Sequence, residues 1–127
     1  MQATTIPPAA RQALRAIAEL HDACADPARL RLINLLAGGE LCVCDLVALT
    51  GLSQPFVSRH LARLRRAEIV EVERRKTFAY YRLAKLPGAA QAQLDATLDS
   101  VLAADPALRR DRNAATATAE RRGAVPC

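Results

Sequence analysis

The sequence predicts one small, mainly α domain with a single β-hairpin, and three observations carry that expectation. The chain has 127 residues, 51% hydrophobic but only 3% aromatic and without Trp, so its core must be built from Ala, Leu and other aliphatic side chains between helices. Apolar residues recur at helical spacing through most of the chain. The exception is Ile69 to Leu83, where Val, Ile, Phe and Tyr flank the basic tip Arg74-Arg75-Lys76-Thr77.

The elements follow in order. Ala9 to Asp22 sets Ala10, Leu14, Ile17 and Ala18 on one face and predicts an opening helix. Asp26-Pro27 starts a second: Asp is a good N-cap and Pro fits the first turn. Its face is Leu30, Ile33 and Leu36 to Ala37, and Gly38-Gly39 ends it. Val43 to Thr50 is a short helix carrying Leu46, Val47 and Leu49, stopped by Gly51, which tolerates a left-handed turn. Ser53 caps the next helix, whose buried stripe is Val57, Leu61 and Leu64. Ile69 to Glu73 and Phe78 to Leu83 are the hairpin strands. After Pro87-Gly88, Ala89 to Ala104 repeats Leu94, Leu98, Val101 and Leu102 in a narrow stripe suited to pairing with a second copy. From Leu108 no periodic apolar face remains, so the expected division is a domain over 1–107 and a flexible tail over 108–127.

Two helices joined at Gly51 and followed by a basic hairpin make a winged helix-turn-helix. Between Ser53 and Arg82 stand eight Lys or Arg against three acids, an excess that equals the whole net charge of +5. Positive charge confined to one segment is the footprint of a phosphate backbone, since each cation placed on a phosphate releases counterions. The residues expected to meet double-stranded DNA are Ser53, Gln54, Ser58, Arg59, His60, Arg63 and Arg66 on the second helix. Arg74, Arg75 and Lys76 join them from the wing. A homodimer seamed by Leu94, Leu98, Val101 and Leu102 would present two such helices about one DNA turn, roughly 34 Å, apart.

No apolar run approaches the roughly 18 residues of a membrane span, and Met1 to Pro8 lacks a signal-peptide layout. A cytoplasmic protein is expected, in which Cys24, Cys42, Cys44 and Cys127 are thiols or metal ligands, not structural disulfides. No Gly-rich phosphate loop or Cys-His-acid set marks an enzyme or an organic cofactor.

The segment from Asp26 to Pro87 carries Glu40-Leu41-Cys42-Val43-Cys44-Asp45-Leu46, Ser53-Gln54-Pro55, Val57-Ser58-Arg59-His60-Leu61 and Tyr80-Tyr81-Arg82-Leu83. In these motifs it resembles the ArsR/SmtB family of metal-responsive winged-helix repressors, and most closely the arsenical-resistance repressors. The resemblance implies a homodimer that holds operator DNA when unliganded and releases it when a thiophilic ion binds.

Trivalent arsenic, cadmium and lead are soft and prefer thiolates, which makes Cys42 and Cys44 the metal ligands. Two residues apart on a regular helix, their side chains would diverge by about 200°; on an extended segment they share a face. Ligand binding is therefore expected to hold or pull the start of the supporting helix into a non-helical shape. The arsenical pattern has a third cysteine three residues after the second, and here that position is Val47. Two thiolates suffice for a monomethylated arsenical, whereas arsenite takes three; Cys127 is the expected supplementary ligand and Cys24 the weaker alternative. The competing effectors are cadmium, lead and zinc, although the last helix offers Asp95 and Asp99 but no His. A redox sensor using Cys42 and Cys44 as an oxidisable pair is a further alternative, disfavoured by the strained ring that i, i+2 cysteines would close.

Overall fold

In the computed structural model, which describes residues 5–124, the elements run α1 (Pro8–Cys24), α2 (Pro27–Leu36), β1 (Leu41–Cys42), α3 (Val43–Thr50), α4 (Gln54–Arg66), β2 (Val70–Arg75), β3 (Phe78–Leu83), α5 (Gly88–Ala104) and α6 (Pro106–Ala124). The caps are those the sequence marks. Asp26 accepts from the Arg29 N–H at 3.0 Å at the start of α2, and Ser53 accepts from the Phe56 N–H at 3.3 Å at the start of α4. Gly51, at φ +72°, ends α3 in the left-handed conformation and turns the chain into α4. Leu32, Ile33, Leu35, Leu46, Leu61 and Leu64 are fully buried and join the helix-turn-helix to α2 in one core. No helix among the described residues is long and apolar enough to cross a membrane.

The hairpin closes at Lys76-Thr77, with Arg75 opposite Phe78 and Lys76 at φ +59°. It is not alone. β1 pairs antiparallel with β3, Leu41 against Tyr81 and Cys42 against Tyr80, so the sheet has three strands in the order β1-β3-β2. Two residues are too few to show a period of two, which is why β1 escapes a reading of the sequence.

The largest departure lies at the C-terminal end. Where the apolar pattern runs out at Leu108, a flexible tail is expected over 108–127, yet α6 continues to Ala124 and docks on α2, α3 and β1. Polar groups and small side chains hold it, and a search for a hydrophobic stripe does not register them. Arg31 of α2 makes a two-pronged bond to Asp111 at 2.7 and 3.2 Å, which stabilises the guanidinium and raises its pKa. Asn34, wholly buried in the last turn of α2, donates to the Leu108 carbonyl at 3.1 Å, and its side-chain oxygen accepts from Arg112 at 3.0 and 3.2 Å. A buried amide left without partners costs about 1–3 kcal/mol, so α6 completes the polar requirements of α2. Burial pushes the Arg112 pKa down, in keeping with its place in this seam. Ala115 is fully buried against the core.

α6 also changes the reading of α5. Leu94, Leu98 and Val101, the expected dimer seam, are buried within the single chain, where α5 packs on α1 and α6; Leu102 is partly exposed. The stripe looks unpartnered in the sequence only because its partner helix is not legible there. On α1 the buried positions are Leu20 and Ala23, while Leu14, expected on the inward face, is 60% exposed.

The close approach of α6 to the end of α2 requires glycine. A Cβ on Gly38 would lie 3.0 Å from the Arg112 carbonyl oxygen, 3.0 Å from the Thr116 backbone nitrogen and 2.9 Å from its Oγ1. Because two of those atoms are backbone, Gly38→Ala is expected to destabilise the protein by about 1–3 kcal/mol, as overpacking does. Chemical denaturation with hydrogen exchange on α6 checks this: unchanged stability and unchanged α6 protection would show that the helix does not sit this close.

Candidate functional site

Cys42 is at once the last residue of β1 and the N-cap of α3, with φ −89° and ψ 169°. Cys44 is the second residue of that helix. The extended residue removes the divergence a continuous helix would impose, and the two sulfurs lie 2.7 Å apart. Two thiolates bonded to one ion at about 2.3 Å each can lie up to about 4 Å apart, so the pair needs to open by only about an ångström. The extended residue is Cys42 itself, and Val43 onward is helical. Cys42 is 2% exposed, whereas Cys44 faces solvent.

Asp45 completes the cluster. Its carboxylate, on a residue 5% exposed, accepts from the Cys42 backbone N–H at 3.1 Å and lies 3.2 Å from the Cys42 sulfur. Arg122 of α6 closes on its other side, with Nε at 3.3 Å from Oδ2 and a second bond to Oδ1. That carboxylate holds the Arg122 pKa above its usual value. Cys42, Cys44 and Asp45 form a group whose ligand atoms all lie within 4.8 Å of one another. Asp45 is the site residue that sequence reasoning passes over; an acid three residues after an N-cap is a capping signal, and that signal could have found it. Cys24, the weaker third-ligand candidate, sits at the end of α1 and is not part of the cluster. Burial also pushes its thiol pKa up, against the pull of Arg29, which disfavours the thiolate. Cys127 lies outside the described residues.

The expected DNA-facing residues fall on α4 and its cap and on the end of β2 with the turn after it, and some are already engaged. Gln54 and Ser58 lie one turn apart, 3.4 Å between Nε2 and Oγ. Arg59 lies over the Phe56 ring at 5.6 Å, and His60 meets the same ring edge-on at 4.5 Å. Ser53 is occupied as the cap of α4. Arg66, Arg74 and Lys76 are exposed. Arg63 pairs with Asp22, and Arg75 pairs with Glu40 and Glu73 while lying 4.0 Å over the Tyr80 ring. Exposed ion pairs of this kind contribute at most about 1 kcal/mol each, so a phosphate can take either arginine.

These contacts join the two candidate sites. Glu40, two residues before Cys42, holds Arg75 and Arg82 of the wing, and Cys42 itself is laddered to Tyr80. On the other side α3 leads through Gly51 directly into α4. Cys42 is therefore linked on one side to the wing and on the other, through α3, to α4.

Removing the guanidinium from Asp45 would leave a buried carboxylate with the backbone N–H of Cys42 as its donor. Arg122→Ala is expected to lower stability by about 1–3 kcal/mol and to raise amide exchange at Val43 to Leu46, measured by denaturation and by hydrogen exchange. Equal exchange in the variant and the parent would show that α6 does not support this segment.

Comparison with known proteins places this geometry. Residues 26–72 match the family described as bacterial regulatory protein, arsR family. The chain is 43% identical over 88 residues to the arsenic resistance transcriptional regulator ArsR2 of Pseudomonas putida, covering 66% of this chain and 76% of that one. It is 45% identical over 78 residues to ArsR1 of the same organism, 60% of this chain and 61% of the relative, so it spans about three fifths of that protein's length. The solution structure of a homodimeric winged helix-turn-helix DNA-binding domain from Mycobacterium bovis superposes with a TM-score of 0.62 at 30% identity, covering 80% of this chain and 91% of that one. The chain belongs to the arsR family of bacterial regulatory proteins, and its fold is the winged helix-turn-helix.

Proposed function

We propose that the protein is a metal(loid)-responsive transcriptional repressor that binds operator DNA as a homodimer and lets go when a trivalent arsenical bonds to Cys42 and Cys44. The observation that carries this reading is the double membership of Cys42, which is both a strand residue of the wing sheet and the cap of the helix that precedes α4. Opening the sulfur pair around an arsenic atom shifts β1 against β3 and α3 against α4 at once. A small shift of either element removes base and phosphate contacts. The arsenic-resistance regulators among its relatives support the choice of effector. The homodimeric relative and the exposed Leu14 on α1 support self-association, through a face other than the buried α5 stripe.

Arsenite takes a third thiolate, and Cys127 is the proposed source. It follows Arg122 by five residues, and five residues of chain span at most about 18 Å. Arg122 itself is held at Asp45.

A second reading, cadmium, lead or zinc, draws on the carboxylate of Asp45 within the cluster. Oxygen donors suit these ions better than they suit arsenic.

Fluorescence anisotropy of the reduced protein on its own upstream DNA, titrated with arsenite, methylarsenite, cadmium, lead, zinc and peroxide, separates the readings. Release by trivalent arsenicals at the lowest concentrations is expected. Release by cadmium or lead first would favour the second reading, peroxide-dependent release a redox sensor, and release by none would overturn the proposal. Cys127→Ser is expected to abolish the arsenite response and spare the methylarsenite response.

The DNA contacts divide by residue. Gln54→Ala is expected to relax sequence preference by about 1–3 kcal/mol at one base. Lys76→Ala is expected to weaken binding to all sequences and to reduce the salt slope by about one. Equal losses on operator and random DNA for Gln54→Ala would remove it from the base-reading set.

A further inference from the structure

Beside the thiol pair lies a cavity of about 450 Å³, lined by Cys42, Val43, Cys44, Val47, Ala48 and Gln54 together with Thr77, Phe78 and Ala79 of the wing. We infer that it is a subsite for the organic group of a trivalent organoarsenical, and that an aromatic substituent fits it better than a methyl group. This rests on the proposed arsenical reading and extends it to the class of effector.

The floor is one face of α3. Cys44, Val47 and Ala48 stand at i, i+3 and i+4 and so rise side by side, which puts the exposed sulfur on the same surface as the apolar floor. The opposite wall is the start of β3, where Phe78 is 40% exposed, a large hydrophobic side chain left open to solvent. A volume of this size falls within the range of about 300–1,000 Å³ that small-molecule pockets occupy, and an ion held by its ligand atoms does not fill it. Gln54, the first residue of α4, and Thr77, at the wing tip, stand at its edge.

The chemistry directs the substituent there. A trivalent organoarsenical in water carries one carbon and two hydroxyl groups on arsenic. Cys42 and Cys44 displace both hydroxyls: two As–S bonds form, two As–O bonds break, and each hydroxide leaves as water with a thiol proton. Arsenic stays trivalent, no electron is transferred, and the As–C bond remains. With both sulfurs on one side of the arsenic, the carbon must project away from them, and the cavity is the apolar space that adjoins the pair. An aromatic ring there meets Phe78 and the aliphatic floor. It also presses between α3 and the wing, beside Gln54 and Thr77, where arsenic alone does not reach.

Isothermal titration calorimetry of the reduced protein with phenylarsine oxide and with methylarsenite tests this, using the parent, Ala48→Leu, Phe78→Ala and Cys127→Ser. Phenylarsine oxide is expected to bind the parent at least tenfold more tightly than methylarsenite. Ala48→Leu, which fills the floor from an exposed helical position, and Phe78→Ala, which removes the wall, are each expected to bring that ratio close to one while leaving methylarsenite affinity unchanged. Cys127→Ser should change neither. Operator binding of the unliganded variants, measured in parallel, establishes that each is folded. A ratio near one in the parent, or a ratio unaltered by both cavity variants, overturns the inference and leaves the arsenical reading standing. If neither arsenical binds the parent while operator binding is intact, the arsenical reading falls and the inference falls with it.

Discussion

The carboxylate of Asp45 is the contact on which the rest of the architecture turns. It takes a backbone N–H from Cys42, which fixes where β1 ends and α3 begins, and it takes the guanidinium of Arg122, which fixes where α6 lies. A charged acceptor in a nearly closed site is tolerated only when such donors surround it. The same group therefore shapes the pair of sulfurs, locates the strand that enters the wing sheet, and closes the C-terminal helix over the core. An apolar residue at position 45 would leave the Cys42 N–H without its partner and α6 without its anchor.

A polar seam also explains why a helix with no hydrophobic stripe folds onto this domain. Arg31 with Asp111, Asn34 with Leu108 and Arg112, and Asp45 with Arg122 form a line of contacts along α2 and α3. Between them only small side chains intervene, Ala115 against the core and Ala119 against Gly39, whose φ of +147° already excludes most other residues. Helix packing is usually set by large side chains interlocking; here close backbone approach and specific hydrogen bonds take that role.

How much of this is legible in the sequence depends on how local the signal is. Asp26-Pro27, Gly51 and Ser53 mark their helix ends because capping is decided within four residues, and the Val57, Leu61 and Leu64 stripe marks the inner face of α4 because one turn repeats it. The wing is readable from its composition. By contrast β1 exists only because Tyr80 and Tyr81 lie opposite it, and α6 only because Asn34 and Asp45 need hydrogen-bond partners from 74 to 78 residues away along the chain. The same gap misassigns the α5 stripe, whose cover is α6. At the site, both sulfurs are evident from the sequence, but their shared orientation depends on Cys42 being extended, and the part played by Asp45 depends on its burial. Neither can be seen in a spacing of two.

The sharing of Cys42 between the wing sheet and the start of α3 has a thermodynamic corollary. If an effector at the sulfurs lowers DNA affinity by some factor, DNA must lower effector affinity by the same factor. On the proposed reading, a chain resting on its operator is a poorer sensor than a chain free in solution. The concentration at which release begins then belongs to the population as a whole: copies beyond the number of sites bind effector first and refill vacated operators, so the concentration needed rises as they accumulate.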